Sequence, residues 1–141
     1  MRPAARGWPG PDPLKARPAE ACPCGRTRPY ADCCGRLHAG EPAPDAESLM
    51  RSRYSAYAKG LEDYLLATWH ATTRPTGLDL TNGPQPKWLG LEVKTGTESG
   101  DEATVEFVAI CRIGGRARRM QEVSRFLREQ GRWYYFDGIT D

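Results

Sequence analysis

The residues with the clearest chemical potential are four cysteines near the N-terminus. Cys22 and Cys24 flank a single proline, and after eight intervening residues Cys33 and Cys34 are adjacent. Zinc in closed structural sites takes four tetrahedral ligands, preferably thiolates, and two close pairs on either side of a short loop can bring four sulfurs to one point. The spacing therefore predicts a structural Zn²⁺ site with these four cysteines as ligands.

Other interpretations of the cysteine and histidine content stay open beside zinc. Thiol redox chemistry or an iron site would use the same four residues, although a disulfide between adjacent cysteines is strained. His38 is expected near the site or on the surface in preference to being a ligand, because four thiolates already complete a tetrahedron. Cys111 lies within a strand pattern and is expected to be a small buried apolar residue.

Residues 22–35 read Cys-Pro-Cys-Gly-Arg-Thr-Arg-Pro-Tyr-Ala-Asp-Cys-Cys-Gly. In cysteine pairing and spacing this segment resembles the SEC-C motif, a small metal-binding module known from the C-terminus of the SecA translocation ATPase. The resemblance implies a zinc-binding module over residues 20–40. It also implies docking to a protein partner, one linked to the secretion chaperone or the ribosome.

The resemblance covers nearly all of the chain from Cys22 to the end. The segments that are similar to the YchJ family are residues 49–54, 63–65, 68–70, 88–91, 124–127 and 133–135. This similarity implies that residues 45–141 form a domain like nuclear transport factor two, in which a cone-shaped sheet wraps around helices. The chain departs from the family in carrying only the N-terminal motif, where some members have a second one, so a role that needs two metal modules is not expected.

Helical periodicity positions a second group of candidate residues. Asp45 follows a proline-containing linker and is a candidate N-cap for a helix over residues 46–59, which Gly60 should end. The apolar residues of this helix recur at helical spacing, and Arg53 falls inside the same apolar arc. A shorter amphipathic stretch ends near His70, and residues 71–87, rich in proline and glycine, are expected to form a loop.

The second half of the chain has a strand pattern. Strands are predicted at residues 88–93, 103–112, 118–128 and 132–137, with glycine-containing turns between them. Short turns between consecutive strands imply an antiparallel meander. The expected fold class is therefore α+β, with a curved antiparallel four-stranded sheet packed on N-terminal helices. The family resemblance implies in addition that this domain is cone-shaped, like nuclear transport factor two or cystatin, and that it follows a small zinc-binding segment.

Alternation along the third strand places Glu122 and Ser124 on one face with Met120 and Phe126. If that face meets the helices, Glu122 is a buried carboxylate and Arg53 is its natural partner, so we expect these two side chains to pair. An internal salt bridge is the favoured interpretation. The functional alternative is a pocket in which Arg53 holds an anionic ligand or Glu122 serves as a base.

His70, together with Tyr54 and Trp88, is a candidate to line the entrance of such a pocket. A histidine at a helix end that is satisfied by backbone groups is the more common situation, and core packing is the first explanation for the aromatic residues. No catalytic motif is matched, so the sequence does not decide whether the protein is an enzyme.

Composition limits the function classes. A net charge of +2 is too small to indicate a nucleic-acid partner, and the arginines at 112, 116, 118 and 119 are expected at a solvated hairpin tip. No apolar run approaches the roughly 20 residues of a membrane span, and the N-terminus has no secretion signal, so a cytoplasmic location without membrane contact is expected. Residues 1–19 contain five prolines and are expected to be a disordered tail.

These observations support three functional hypotheses. The leading one is a cytosolic zinc-binding adaptor whose SEC-C module docks a protein partner and whose larger domain binds a protein or a small ligand. The second is an enzyme like a hydratase or isomerase that uses His70 or Glu122 in the cone. The third is a ribosome- or RNA-associated factor that uses Arg26, Arg28 and Arg36 together with residues 116–119.

Overall fold

The computed structural model describes residues 20–80 and 85–140. Its elements are a 3₁₀ turn (Tyr30–Asp32), the helices α1 (Cys34–His38), α2 (Ala46–Lys59) and α3 (Glu62–Ala67), and the strands β1 (Lys87–Ser99), β2 (Glu102–Ile113), β3 (Arg116–Glu129) and β4 (Arg132–Thr140). Helices followed by a four-stranded antiparallel sheet confirm the predicted α+β class. The predicted disordered tail, residues 1–19, lies outside the described residues.

Helix α2 begins and ends where local sequence signals predicted. The carboxylate of Asp45 accepts a hydrogen bond of 2.7 Å from the backbone N–H of Ser48, which satisfies one of the free donors at the helix start. The helix ends at Gly60, whose φ of 73° is the left-handed conformation that glycine adopts readily. Neither α2 nor any other helix in the described ranges is long and apolar enough to cross a membrane.

The sheet has the strand order β1-β2-β3-β4, and each neighbouring pair is antiparallel. The register shifts by one residue at Leu89 and Lys94 in β1 and at Phe136 in β4. Such bulges bend a strand and increase its twist, which gives the sheet a concave face. The predicted meander is thereby confirmed.

Strand β1 is longer than the sequence pattern indicated. The prediction ended near residue 93, whereas pairing with β2 continues to Ser99. The extension is exposed on both faces, so it has no alternation of apolar and polar residues to reveal it. Cross-strand contacts such as the 2.6 Å hydrogen bond between the Thr97 and Thr104 hydroxyls help hold it in the sheet.

The concave face of the sheet packs on α2. The main core joins Leu49, Met50 and Tyr54 of the helix to Phe107 and Phe126 of the sheet, and the four clustered cysteines form a separate core with Tyr30. The end of α3 is tied to β4 by two backbone hydrogen bonds, from His70 N–H to the Tyr135 carbonyl and from Tyr135 N–H to the Thr68 carbonyl. This pairing brings the α3 terminus under the sheet.

Candidate metal centre and ligand cavity

The four predicted metal ligands converge in the structure. Their sulfur atoms all lie within 4.8 Å of one another, and all four side chains are buried. The sulfurs of Cys24 and Cys33 are 3.6 Å apart. A Zn–S distance of about 2.3 Å places tetrahedral sulfurs about 3.8 Å apart. The cluster therefore fits a four-coordinate metal ion with small adjustments, and these residues could hold one.

Local backbone geometry brings the two cysteine pairs together. The first pair lies in a turn closed by the Cys22 N–H, which donates to the Arg28 carbonyl at 3.0 Å, and Gly25 turns the chain with a φ of 90°. The second pair lies at the start of α1, where Cys33 precedes the helix and Cys34 is its first residue. Thiols from a tight turn and from a helix start thus point at one centre.

Hydrogen bonds between the clustered thiols shift their pKa values in opposite directions. Hydrogen bonding from Cys34 lowers the pKa of the Cys24 thiol well below its usual value, in spite of burial. Hydrogen bonding to Cys24, together with burial, raises the pKa of Cys34. A metal ion that replaces the thiol protons would stabilise all four sulfurs as thiolates.

Helix α2 closes the inner side of the cysteine cluster. Ser55 is fully buried, and its hydroxyl lies 3.6 Å from the Cys22 sulfur. Arg51 donates to the Cys24 carbonyl at 2.7 Å and is itself held by Glu47 at 2.9 Å. The segment that carries the cysteines is therefore packed against α2, with the Cys22 sulfur next to this helix.

His38 bridges the two parts of the chain and is not among the clustered ligands. Its Nε2 lies 2.8 Å from the Ser52 carbonyl, which can only accept, so Nε2 carries the proton and Nδ1 accepts from the Tyr30 hydroxyl at 2.6 Å. Burial lowers the pKa of His38, which favours this neutral form. The side chain fastens α1 to α2 and is not a free surface residue.

A cavity of about 280 Å³ lies between α2 and the concave face of the sheet. Five of the six predicted pocket residues line it: Arg53, Tyr54, Trp88, Glu122 and Ser124. The other lining residues are Met50, Tyr57, Phe107, Met120, Phe126 and Tyr135, all of them aromatic or methionine. The wall is thus mostly apolar, with a few polar groups.

The predicted ion pair between Arg53 and Glu122 is wrong, because no ion pair joins these two described residues. Arg53, only 5% exposed, donates through Nη1 to the Leu65 carbonyl at 2.8 Å and to the Thr68 hydroxyl at 2.7 Å. Its guanidinium carbon lies 4.4 Å from the ring centroid of Tyr135. The end of α3 therefore supplies the acceptors, and burial lowers the pKa of Arg53.

Glu122 is half-buried and accepts a hydrogen bond from the Ser124 hydroxyl. Gly138, opposite Ser124 on β4, makes room for it, because a Cβ at that position would overlap the Glu122 carboxylate and come within 3.0 Å of the Tyr135 hydroxyl. The carboxylate is thus positioned at the cavity wall by two neighbours, neither of which is a cation.

His70 lies away from this cavity. It is buried, with Nε2 2.7 Å from a Glu129 carboxylate oxygen and Nδ1 2.7 Å from the Thr72 hydroxyl. Its partners are therefore side chains of β3 and of the following turn, and the suggestion that it stands at the pocket mouth is wrong.

Comparison with known proteins shows to which family the chain belongs. A family model described as "YchJ, middle NTF2-like domain" matches residues 45–138, and a SEC-C motif model matches residues 19–36. The chain belongs to the YchJ family. A UPF0225 protein from Chromobacterium violaceum is 57% identical over 132 residues, which cover 89% of this chain and 97% of that protein. A UPF0225 protein from Bordetella bronchiseptica is 56% identical over 131 residues, which cover 89% and 98%.

Two solved structures are similar to this YchJ-family chain. The solution structure of a SEC-C motif containing protein from Rhodopseudomonas palustris is 36% identical, with a TM-score of 0.75, and the match covers 85% of this chain and 98% of that one. A crystal structure of a SEC-C motif containing protein from Psychrobacter arcticus is 28% identical, with a TM-score of 0.69, and the match covers 84% and 81%.

Sequence reasoning missed several residues that build the two sites of this YchJ-family protein. Ser48, Ser52 and Ser55 recur at helical spacing on α2, and this polar stripe was a readable signal for a second buried face. Gly138 had no local signal, because its importance depends on the opposite strand. The acceptors that hold Arg53 depend in the same way on tertiary pairing of α3 with β4.

Proposed function

We propose that this protein binds a small molecule in the cavity between α2 and the sheet, and that a zinc ion in the cysteine cluster stabilises the attached SEC-C segment. The observation that carries the proposal is the lining of the cavity, in which aromatic and methionine side chains surround a few polar groups, among them the buried Arg53. Concave, largely apolar sites with a small number of placed polar groups are typical of ligand-binding pockets.

Zinc is the metal that best suits the cluster. Four buried thiols within 4.8 Å of one another form a closed S₄ donor set with no position left for a water or substrate, which is the pattern of structural zinc. The ion would be held by Cys22, Cys24, Cys33 and Cys34 and would supply folding free energy to the segment. Iron accepts the same donor set, so elemental analysis of the purified protein is the deciding measurement.

Ligand binding is tested with the zinc-loaded full chain. A fragment library is screened by ligand-observed NMR, and hits are mapped by amide and indole shifts. We expect hits to move the Trp88 indole signal and to compete with one another. We expect Glu98→Gln, an exposed control on β1 that does not line the cavity, to leave the mapped shifts unchanged. Hits that map elsewhere, or an absence of hits, would contradict the proposal.

A second candidate function is catalysis of proton transfer in the same cavity. The observation in its favour is that Glu122 lines the cavity with a serine as its hydrogen-bond donor and, among the described residues, no cation within ion-pair distance. A carboxylate in such a position can act as a general base. Deuterium incorporation into a bound ligand in D₂O, lost in Glu122→Gln while binding persists, would support an enzyme of this type.

Docking of a protein partner through the SEC-C segment also stays a proposal. A groove of about 240 Å³ beside this segment has arginines, Asp32 and Glu41 in its lining together with Leu37 and Pro42. Arg36 is already paired with Glu41, so Arg28 is a cation that the groove offers to an acidic peptide, next to the apolar groups. Titration of labelled full chain with candidate partners, with and without chelator, tests it; binding that ignores the chelator would count against it. A steep salt dependence with RNA would instead favour the ribosome-associated alternative.

A further inference from the structure

Two opposite charges line the proposed cavity without pairing with each other. Arg53 uses Nη1 for two neutral acceptors, and its Nε and Nη2 donors have no acceptor among the described residues. Glu122 faces the same cavity and has only the Ser124 hydroxyl as a polar side-chain partner among the described residues. Arg53 is 5% exposed and Glu122 is half-buried, and within the described part of the chain neither has an oppositely charged group within ion-pair distance.

The charge balance restricts the kind of molecule that fits. A buried charge without a partner is unfavourable, and a ligand that pairs with only one of these two charges leaves the other without a partner. An anion would satisfy Arg53 and add repulsion with Glu122, whereas a cation would do the reverse. A molecule that carries both charges, set on opposite sides of one small centre, satisfies both residues.

Resting on the proposed ligand-binding function, we propose that the cavity binds an amino acid with a large apolar side chain as its zwitterion. The ligand carboxylate accepts from Nε and Nη2 of Arg53, a bidentate geometry that suits guanidinium groups. The ammonium group donates to Glu122, and the apolar side chain packs against Trp88, Phe107 and Met50.

The size and the lining of the cavity agree with this class. A volume of about 280 Å³ lies just below the range of about 300–1,000 Å³ that holds drug-sized ligands. The ring of Tyr135 already stacks on Arg53, and the ring of Tyr57 lines the same cavity, where it can add a cation–π contact to an ammonium group. Gly138 keeps the Glu122 carboxylate in its position by leaving room for it.

The experiment compares three probes by isothermal titration with the zinc-loaded full chain: L-phenylalanine, 3-phenylpropionate, which lacks the ammonium, and 2-phenylethylamine, which lacks the carboxylate. We expect phenylalanine to bind at least about tenfold more tightly than either analogue, since each analogue leaves one charge uncompensated. In Glu122→Gln the preference for phenylalanine over 3-phenylpropionate should fall to less than about twofold. Gly138→Ala should reduce it through displacement of the carboxylate, and Glu98→Gln, an exposed control on β1, should keep it.

The possible outcomes separate this inference from the proposed function. Binding of 3-phenylpropionate as tight as that of phenylalanine, or a preference that persists in Glu122→Gln, overturns the zwitterion and leaves a ligand cavity. If none of the three probes binds while other fragments shift the Trp88 signal, the zwitterion proposal is overturned and the proposed ligand-binding function stands. If no compound of either set reaches the cavity, both fail.

Discussion

Replacing Cys24 by serine removes one of the four sulfurs, and we expect it to abolish zinc binding and to unfold residues 20–38 while the domain from Asp45 onward stays folded. The cysteine cluster and the main core share no residue, so the larger domain keeps its own packing. A segment this short cannot fold on its own apolar contacts. Metal binding supplies about 10–16 kcal/mol to zinc-finger peptides of comparable size.

The larger domain should still lose part of its stability, because the SEC-C segment is hydrogen-bonded to α2. Three part-buried bonds to oxygen cross this boundary, namely Arg51 Nη1 to Cys24 O, His38 Nε2 to Ser52 O, and Arg26 Nη1 to Ser48 Oγ. The Lys59–Glu20 pair is exposed and the Ser55 hydroxyl contacts the Cys22 sulfur, so neither is counted here. At about 1 kcal/mol each the three bonds contribute about 3 kcal/mol. In a domain of this size 1 kcal/mol shifts Tm by about 4–8 °C, so the expected fall is about 12–24 °C.

Hydrogen exchange and near-ultraviolet circular dichroism measure the two parts separately. Exchange should become fast in residues 20–38, whereas the dichroism should persist because Trp69, Trp88 and Trp133 all lie in the larger domain. Cys111→Ser is the matched control, since Cys111 is also buried but lies outside the cluster, and it should retain one zinc per chain. Loss of the whole near-ultraviolet signal in Cys24→Ser or on chelation would refute the reasoning.

Three further predictions concern single contacts. Asp45→Ala, which removes the N-cap of α2, should lower the free energy of unfolding in urea by about 1 kcal/mol, and Asp63→Ala, in the first turn of α3, by less than half of that. Ser55→Ala should weaken zinc at least about tenfold in chelator competition, because it removes a hydrogen-bond donor beside the thiolates; unchanged affinity would contradict this. The pKa of Asp137 is lowered by its hydrogen bonds from Arg125, so this pair stabilises the fold above the unfolded pKa of about 3.9 and the contribution is lost as pH falls through the lower folded pKa. In Arg125→Ala the carboxyl titration followed by NMR should return to the ordinary pKa, and an unmoved titration would refute the assignment.

The elements with local signals were readable from the sequence. Asp45, Gly60 and the apolar spacing between them fix the bounds of α2, because capping and left-handed φ depend on the residue itself. The glycine-containing turns and the alternation of β2 and β3 indicated the meander in the same way. The second half of β1 could not be predicted, since a strand segment that is exposed on both faces shows no alternation of apolar and polar residues.

At the sites, residue types were predictable and partnerships were not. The cysteine spacing indicated the cluster, and the apolar arc of α2 indicated a buried Arg53. Its partner was misassigned because charge alone suggested Glu122, whereas the Leu65 carbonyl and the Thr68 hydroxyl lie closer in the fold. Their position depends on pairing between Trp69 and Tyr135, residues 66 positions apart in the chain, and no local pattern encodes such a pairing.

The anchoring of the two charged cavity residues bears on what the metal does. Arg53 is held by the end of α3, and Glu122 is held within β3 and β4, so neither group takes a hydrogen bond from the SEC-C segment. The contacts of that segment reach the opposite face of α2, at Ser48, Arg51, Ser52 and Ser55. Recognition of a ligand in the cavity should therefore depend on zinc only through stability. Below the melting temperature of the zinc-free protein, chelation should therefore leave the ligand affinity nearly unchanged, although it lowers Tm. A clear loss of affinity at such a temperature would instead make the metal part of the recognition site.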